Sequence, residues 1–261
     1  FYQDFVDALR NTFVKLDLIL DGDPAIYFAD KYARAFIISV FDNDKDGYVT
    51  AEEAAIEKQL YWDKCSDADK IQAVDLRELN AIEGSMSKLT NIKEYYMGYR
   101  NPETGNQMFY LNTSIEVLGI GINVVRVSQR TCRGCTNLRK VILNDKVEQL
   151  YGDPFRDCTS LEEISDIPDT CYEIGGDCFN GCTSLRNLNI GNGITQIQYS
   201  AFRNCTSMES LYIKTSIPPT LGVDAFTNNP CKIYVPHSSV DAYKSATNWS
   251  QYANRIYGYD F

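Results

Sequence analysis

A four-residue phrase returns along this chain at nearly fixed intervals. Cys182-Thr183-Ser184-Leu185 recurs as Cys158-Thr159-Ser160-Leu161, as Cys135-Thr136-Asn137-Leu138 and as Cys205-Thr206-Ser207-Met208. Asn112-Thr113-Ser114-Ile115 and Leu89-Thr90-Asn91-Ile92 extend the series backwards. The apolar residue that ends each phrase falls at 92, 115, 138, 161, 185 and 208, in steps of 23, 23, 23, 24 and 23. An aromatic column (Phe109, Phe155, Phe179, Phe202, Phe226, with Met86 and Cys132 in two slots) keeps the same register. One unit of this size cannot bury its own apolar face, whereas stacked units can. A fixed period therefore predicts a solenoid.

Each unit is expected to hold a short strand, read from Leu188-Asn189-Ile190 and Leu211-Tyr212-Ile213, with inward and outward residues alternating. The single 24-residue step places an extra residue between 161 and 167, with Ile167 filling the next inward slot. The Thr column (Thr90, Thr113, Thr136, Thr159, Thr183, Thr206) is complete, and residues that bond backbone groups with their side chains predict a polar ladder there. Nine cysteines would ordinarily suggest disulfides with one left over. Four of them occupy one column, which favours buried, reduced, structural thiols. Cys132-x-x-Cys135 and Cys178-x-x-x-Cys182 have zinc-like spacing, but stacked rungs do not aim four thiolates at one centre. A disulfide involving Cys65, Cys171 or Cys231 stays open at this stage.

Upstream of the repeats, residues 42–53 read Asp-Asn-Asp-Lys-Asp-Gly-Tyr-Val-Thr-Ala-Glu-Glu. Calcium is a hard cation that takes about seven oxygens, and this spacing supplies them in an EF-hand loop. Asp42, Asp44 and Asp46 stand at positions 1, 3 and 5, and Gly47 at the sharp turn. Tyr48 offers a carbonyl, Thr50 stands at position 9 and Glu53 is the closing carboxylate. Asp23-Pro24 predicts the start of an entering helix that carries Phe28, Tyr32, Phe36 and Val40 on one face. Thr50 and Glu53 predict a capping box, with the exiting helix running to about Tyr61. Phe5, Leu9, Phe13 and Leu16 share a face and suggest a further helix over 3–19.

The 261 residues are 44% hydrophobic, which is enough for a large core, and contain no apolar run long enough to span a membrane. The net charge is −10, so a nucleic-acid partner is not expected. The only histidine, His237, follows Pro236 in an expected loop, and no catalytic constellation can be built around it. No enzyme is expected. Outward strand positions instead form ladders, one of them running Tyr96, Gly119, Ile142, Ser165, Asn189, Tyr212 and Tyr234. Extended faces of this kind are what solenoids present to partners, and exposed Tyr suits protein interfaces and sugar rings. Tyr96, Ile142, Tyr212 and Tyr234 are the candidate partner face.

The columns Phe-x-x-Cys-Thr-Ser-Leu-x-x-Leu-x-Ile resemble the BspA-like leucine-rich repeats of surface proteins from Bacteroides-type bacteria. The resemblance covers roughly residues 79–235. Ile233-Tyr234-Val235-Pro236, Val240 to Lys244 and Trp249 are similar to that family's closing segment, and the acidic loop is similar to its N-terminal region. The expected fold is an α/β leucine-rich-repeat solenoid of six to seven repeats. An EF-hand-like helical cap over 1–72 precedes repeats over 73–230 and a C-terminal cap over 231–261. Trp249 and Tyr252 are the expected plugs of that last cap. The resemblance implies a secreted or surface-anchored monomer, its signal or lipid anchor segment removed, that adheres to an extracellular protein, cell or glycan. The alternative is a scaffold protein of the envelope in which calcium only stabilises the N-terminal cap.

Overall fold

A computed structural model describes residues 28–56, 58–77, 81–83, 86, 89–90, 92–98 and 103–261. The helix expected over 3–19 and the Asp23-Pro24 start lie outside these residues. Two columns of short parallel strands organise the chain. The first comprises β2 (Ala73–Asp75), β4 (Glu94–Tyr96), β5 (Val117–Gly119), β7 (Lys140–Ile142) and β9 (Glu163–Ile164), then β11 (Asn187–Ile190), β13 (Ser210–Ile213), β15 (Lys232–Pro236) and β16 (Ile256–Tyr259). Their register follows the sequence columns: Tyr95 pairs with Leu118, Leu118 with Val141, and Leu188 with Leu211. The strands divide into sheets of five and four at the 24-residue step. There β9 ends at Ile164, and only the isolated bridge Ile167–Ile190 continues the stack. The extra residue thus makes a bulge, with two inward residues three apart on one rung facing two that are two apart on the next.

The second column was not read from the repeat phrase. It comprises β6 (Arg126–Val127), β8 (Gln149–Leu150), β10 (Glu173–Ile174), β12 (Gln196–Ile197) and β14 (Thr220–Leu221), all parallel. Val127, Leu150, Ile174, Ile197 and Leu221 are its buried apolar residues. A signal was present: Val124-x-x-Val127, Val147-x-x-Leu150, Cys171-x-x-Ile174 and Ile194-x-x-Ile197 repeat at the same period. Two-residue strands leave little alternation to detect, so periodicity alone marks them.

Between the columns the chain turns tightly, and its aromatic residues stack. Phe155 lies 5.7 Å from Phe179, Phe179 is 5.4 Å from Phe202, and Phe202 is 5.4 Å from Phe226, with interplanar angles of 17°, 9° and 5°. Trp249 and Tyr252 meet the last of these rings at 6.0 and 5.3 Å. The Trp249 indole N–H donates to the Pro219 carbonyl at 2.8 Å, so this large side chain is buried with its polar atom satisfied.

The cysteine column is a hydrogen-bond ladder. Cys135 Sγ donates to the Phe109 carbonyl at 2.8 Å, Cys158 to Cys132 at 3.0 Å, Cys182 to Phe155 at 3.1 Å and Cys205 to Phe179 at 3.0 Å. Asparagine does the same at one end, where Asn229 Nδ2 donates to the Phe202 carbonyl, and at the other Asn112 Nδ2 donates to the Leu89 carbonyl, one column along. Each rung therefore satisfies a buried carbonyl of the rung before it. All nine cysteines are buried and none is in a disulfide, Cys65, Cys171 and Cys231 included. Among the described residues no group of thiols converges on a metal-binding point. The Thr column contributes in parallel, with Thr183 Oγ1 reaching the Thr159 carbonyl at 3.1 Å and Ser114 Oγ the Thr90 carbonyl at 2.6 Å.

One residue before each ladder position the backbone is left-handed, at Leu111, Gly134, Asp157, Gly181, Asn204 and Asn228, with φ between 55° and 80°. Gly, Asn and Asp tolerate that region, and Leu does not. Leu111→Gly is therefore expected to raise stability by roughly 0.5–1 kcal/mol in urea unfolding.

Burial favours the protonated form of Cys132, Cys158, Cys171, Cys182 and Cys231. It pushes Cys171 and Cys231 up to about 12, and Cys132, Cys158 and Cys182 well above the usual thiol value of 9.0. A pKa raised on folding contributes stability that is complete below the unfolded value and is lost as pH rises through the folded one. The melting temperature is expected to fall as pH climbs from 9 toward 12. A thiol reagent at neutral pH is expected to modify no cysteine until denaturant unfolds the chain. Phe179→Ala, which breaks the stack at its middle, is expected to cost about 3–5 kcal/mol.

Candidate functional site

The acidic loop leaves α1 (Lys31–Phe41), and α2 (Ala51–Ala55) follows it. The entering helix begins at Lys31, later than expected, and residues 28–30 are not helical. Asp30 is its N-cap, accepting from the Tyr32 and Ala33 N–H groups at 2.9 and 3.0 Å. Its buried face is Ala33, Ile37 and Phe41, with Tyr32, Phe36 and Val40 half-buried beside them. The exiting helix is five residues long and does not reach Tyr61. The backbone turns extended at Ile56. Lys58–Leu60 is instead strand β1, parallel to β3 (Ala81–Glu83) with Lys58 opposite Ala81. That offset of 23 is the solenoid period (81 − 58), so strand pairing with the next turn overrides local helix propensity here.

Within the loop, ligand oxygens of Asp42, Asp44 and Asp46 lie within 4.8 Å of one another. The loop's own amides hold them. Asp42 accepts from the Lys45 and Gly47 N–H groups at 2.6 and 2.9 Å, Asp44 from Asp46 at 3.2 Å, and Asp46 from Tyr48 at 2.9 Å. Gly47 sits at φ +93°, a conformation that requires glycine. The Asp46 amide pulls the Asp44 carboxyl down, but desolvation and the Asp46 and Glu53 charges outweigh it, and the group sits above its ordinary value. Crowded acids of this kind favour a cation.

Glu53 is buried and makes the predicted capping box: its amide donates to Thr50 Oγ1 at 3.2 Å, and its carboxylate accepts from the Thr50 amide at 3.1 Å and the Asn43 amide at 2.6 Å. Desolvation raises its pKa, the amide and hydroxyl hydrogen bonds lower it more, and it ends below the usual value. Tyr48 is exposed, and the Thr50 hydroxyl is engaged by Glu53. The structure thus clusters three of the six predicted ligand residues and places Thr50 and Glu53 together beside them.

This unit is fastened to the first rungs. Asp30 Oδ2 accepts from the Gln72 amide at 2.8 Å, Trp62 Nε1 donates to Tyr95 Oη at 3.1 Å, and Phe36 packs on Trp62 at 5.3 Å. Its apolar residues join one continuous core with those of the repeats. A cavity of about 250 Å³ lies between α1 and the first strands, with Ala33, Ile37 and Val74 in its lining and Asp30, Arg77 and Tyr96 at its border.

The four predicted partner-face residues fall on two sheets. Tyr96 and Ile142 lie on the five-stranded sheet, with Gly119 between them, and the Arg77 guanidinium stacks over the Tyr96 ring at 4.6 Å. Tyr212 and Tyr234 are cross-strand neighbours on the four-stranded sheet, stacked at 4.8 Å and 13°. Three aromatic residues that the sequence reading did not place on this face extend that pair. Tyr257 lies opposite Tyr234 on β16, Tyr259 stands edge-on to Tyr212 at 5.0 Å, and Phe261 stands edge-on to Tyr259 at 5.1 Å. Their alternation was legible, but β16 is reached through three helical segments, a 3-10 turn over His237–Ser239, α3 (Val240–Ser245) and a 3-10 turn over Ser250–Arg255, which break the period. His237 opens a 3-10 turn and pairs with Asp260 at 2.8 Å, both exposed. Charged side chains elsewhere on the face pair across rungs, as in Lys93–Glu116, Lys140–Glu163 and Arg186–Glu209. Among the described residues no helix is long and apolar enough to cross a membrane.

Parallel strands stacked at a 23-residue period, with a small ladder residue at each turn, define a leucine-rich-repeat solenoid. The BspA type leucine rich repeat region matches residues 102–233 in six copies, and the chain belongs to that family. Among solved structures, a leucine-rich repeat protein from Bacteroides ovatus superposes with a TM-score of 0.51 at 20% identity, over 74% of this chain and 46% of that one. The chain therefore spans about half of that protein's length. The pneumococcal vaccine antigen PcpA gives a TM-score of 0.45 at 14% identity, over 72% of this chain and 54% of that one. A Treponema pallidum leucine-rich repeat protein gives 0.42 at 21% identity, over 60% of this chain and 78% of that one. No curated protein matches the sequence.

Asp30→Ala removes both the helix cap and the tie to Gln72, and is expected to cost about 1–2 kcal/mol in urea unfolding. Lys140→Ala cuts an exposed ion pair and is expected to change stability by less than about 0.5 kcal/mol.

Proposed function

We propose that this chain is a non-enzymatic binding protein of the bacterial cell surface or extracellular space. Its first-column strands form the partner face. One observation carries the reading: Tyr212 and Tyr234 stand outward on adjacent rungs, already stacked at 4.8 Å, so a partner meets ordered aromatic area. Ordered rings lose little side-chain entropy on binding, and Tyr is enriched at interface centres. Family membership supports the same reading, because a repeat array offers an extended surface rather than a closed pocket. In the face, charges that pair with one another leave the tyrosines as the uncommitted chemistry.

Calcium has a structural role in this proposal. Asp42, Asp44 and Asp46 would hold it, with the Tyr48 carbonyl, Thr50 and Glu53 completing the set. The donor set is all oxygen, and the loop already folds around the three carboxylates. The ion would neutralise their mutual repulsion and fix α1 against α2 at the head of the array.

Binding to immobilised extracellular proteins and to whole cells tests the function. Tyr212→Ala/Tyr234→Ala is expected to lower affinity at least tenfold without changing the melting temperature by more than a few degrees. No binding by the wild type to any of these ligands points instead to an envelope scaffold. Calcium is expected to raise the melting temperature of the wild type by several degrees and to leave Glu53→Gln nearly unmoved. Identical curves with calcium and with chelator would remove the ion from the account.

A further inference from the structure

The aromatic residues at the end of the partner face form a larger and more specific unit than Tyr212 and Tyr234 alone. Tyr257 and Tyr259 alternate outward on β16, and Tyr259 stands at 70° to Tyr212 and 67° to Tyr234, at 5.0 and 6.0 Å. Tyr257 closes on Tyr234 at 5.9 Å. Tyr257, Tyr259 and Phe261 remain 42%, 43% and 53% exposed, so water covers rings that are already locked against one another.

The surroundings of these rings are polar. Asn187, Asn189, Ser210 and Lys232 occupy the neighbouring outward positions on β11, β13 and β15. His237 and Asp260 form an exposed pair at the rim. Beside them the strand is held to a glycine: a Cβ on Gly258 would come within 2.5 Å of the His237 ring. Among these outward positions the aliphatic side chain is Pro236, opposite Tyr259. The surface is therefore one of aromatic C–H and π area edged by hydroxyl, amide, imidazole and carboxylate groups.

We infer that this aromatic cluster binds a carbohydrate, with neutral pyranose rings laid against the exposed Tyr257 and Tyr259 on the edge strand, which the Tyr212–Tyr234 stack holds in place. A pyranose has the complementary chemistry: weakly polar C–H groups on its face and hydroxyls around its edge. The C–H face meets the negative face of an aromatic ring, and the hydroxyls meet hydrogen-bonding groups at the rim. A neutral sugar fits this surface, because the charges beside the rings are of both signs, Lys232 on β15 and the exposed His237–Asp260 pair. The inference rests on the binding function proposed above and narrows its ligand to one class.

The test is affinity electrophoresis of the whole chain through gels containing a neutral glucan, mannan or galactan, with heparin as the anionic probe. A panel of immobilised extracellular proteins is run beside it. At least one neutral polysaccharide is expected to retard the wild type, with little change between low and 0.5 M salt. Tyr259→Ala and Tyr212→Ala/Tyr234→Ala are each expected to weaken retardation at least tenfold, while Arg126→Ala on the second strand column leaves it intact. Tyr259 lies on the last strand of its sheet, so its variant keeps the test decisive if the double variant unfolds. Retardation by heparin alone, or equal retardation of all variants, overturns the inference. So does binding to proteins, lost in the tyrosine variants, with no polysaccharide retained, although the broader binding function then stands. Absence of every ligand overturns both.

Discussion

Everything in this molecule depends on each rung satisfying the rung before it. The thiols of Cys135, Cys158, Cys182 and Cys205 and the amide of Asn229 all perform one task, donation to a buried carbonyl of the aromatic column one turn back. Without that donor, the tight turn that carries the aromatic column would bury carbonyls with no partner, a cost of about 1–3 kcal/mol for each. With it, the turn can close enough for Phe155, Phe179, Phe202 and Phe226 to stack at 5.4–5.7 Å. The ladder, the stack and the parallel strands are all nearest-neighbour interactions, so stability is a sum over adjacent rungs, and both ends must be closed. At one end Trp249 and Tyr252 cover Phe226. At the other, Trp62 and Tyr95 join α1 to the first rungs.

The repeat made the solenoid legible because six copies of one phrase report the same environment six times. Cysteine at a fixed column could be read as buried and reduced, and the structure adds the reason: a small side chain with a weak donor fits where asparagine also serves. The bulge at Ile164–Ile167 was legible for the same reason, since an inserted residue shifts every later column. What escaped were features that do not repeat. The second strand column is two residues wide and carries only one inward residue per strand. The exiting helix was overestimated because Thr50 and Glu53 signal a helix start but say nothing of its length. Pairing of Lys58–Leu60 with Ala81–Glu83 ended it. Tyr257, Tyr259 and Phe261 were hidden because helical segments separate them from the rungs they join.

The acidic loop shows the division between what a motif encodes and what its setting adds. Spacing alone placed Asp42, Asp44 and Asp46 together, and the structure gathers their oxygens within 4.8 Å. The motif does not reveal that Asp30, twelve residues upstream (42 − 30), caps the entering helix and accepts from the Gln72 amide of the first rung. Through that carboxylate, α1 and the array share a hydrogen bond as well as a core. In the proposed reading, an ion in the loop would reach the stability of the array through this tie and the shared core.

The columns also determine where function can reside. Inward positions are committed to the core, the turn columns to ladders and left-handed backbone, and the exposed charges to each other at one-rung spacing, as Lys93–Glu116, Lys140–Glu163 and Arg186–Glu209 show. A charge paired across rungs contributes little to folding and also cancels its own long-range field. Such a surface gives little electrostatic discrimination between partners. Aromatic rings are different: Tyr212 and Tyr234 gain order from stacking and keep edges and hydroxyls free for contact. The bulge at Ile164–Ile167 places these rings on a separate sheet from Tyr96 and Ile142. One insertion thus separates the stretch that carries Tyr96 and Ile142 from the stretch that carries the tyrosine stack, and in the proposed reading specificity comes from the second.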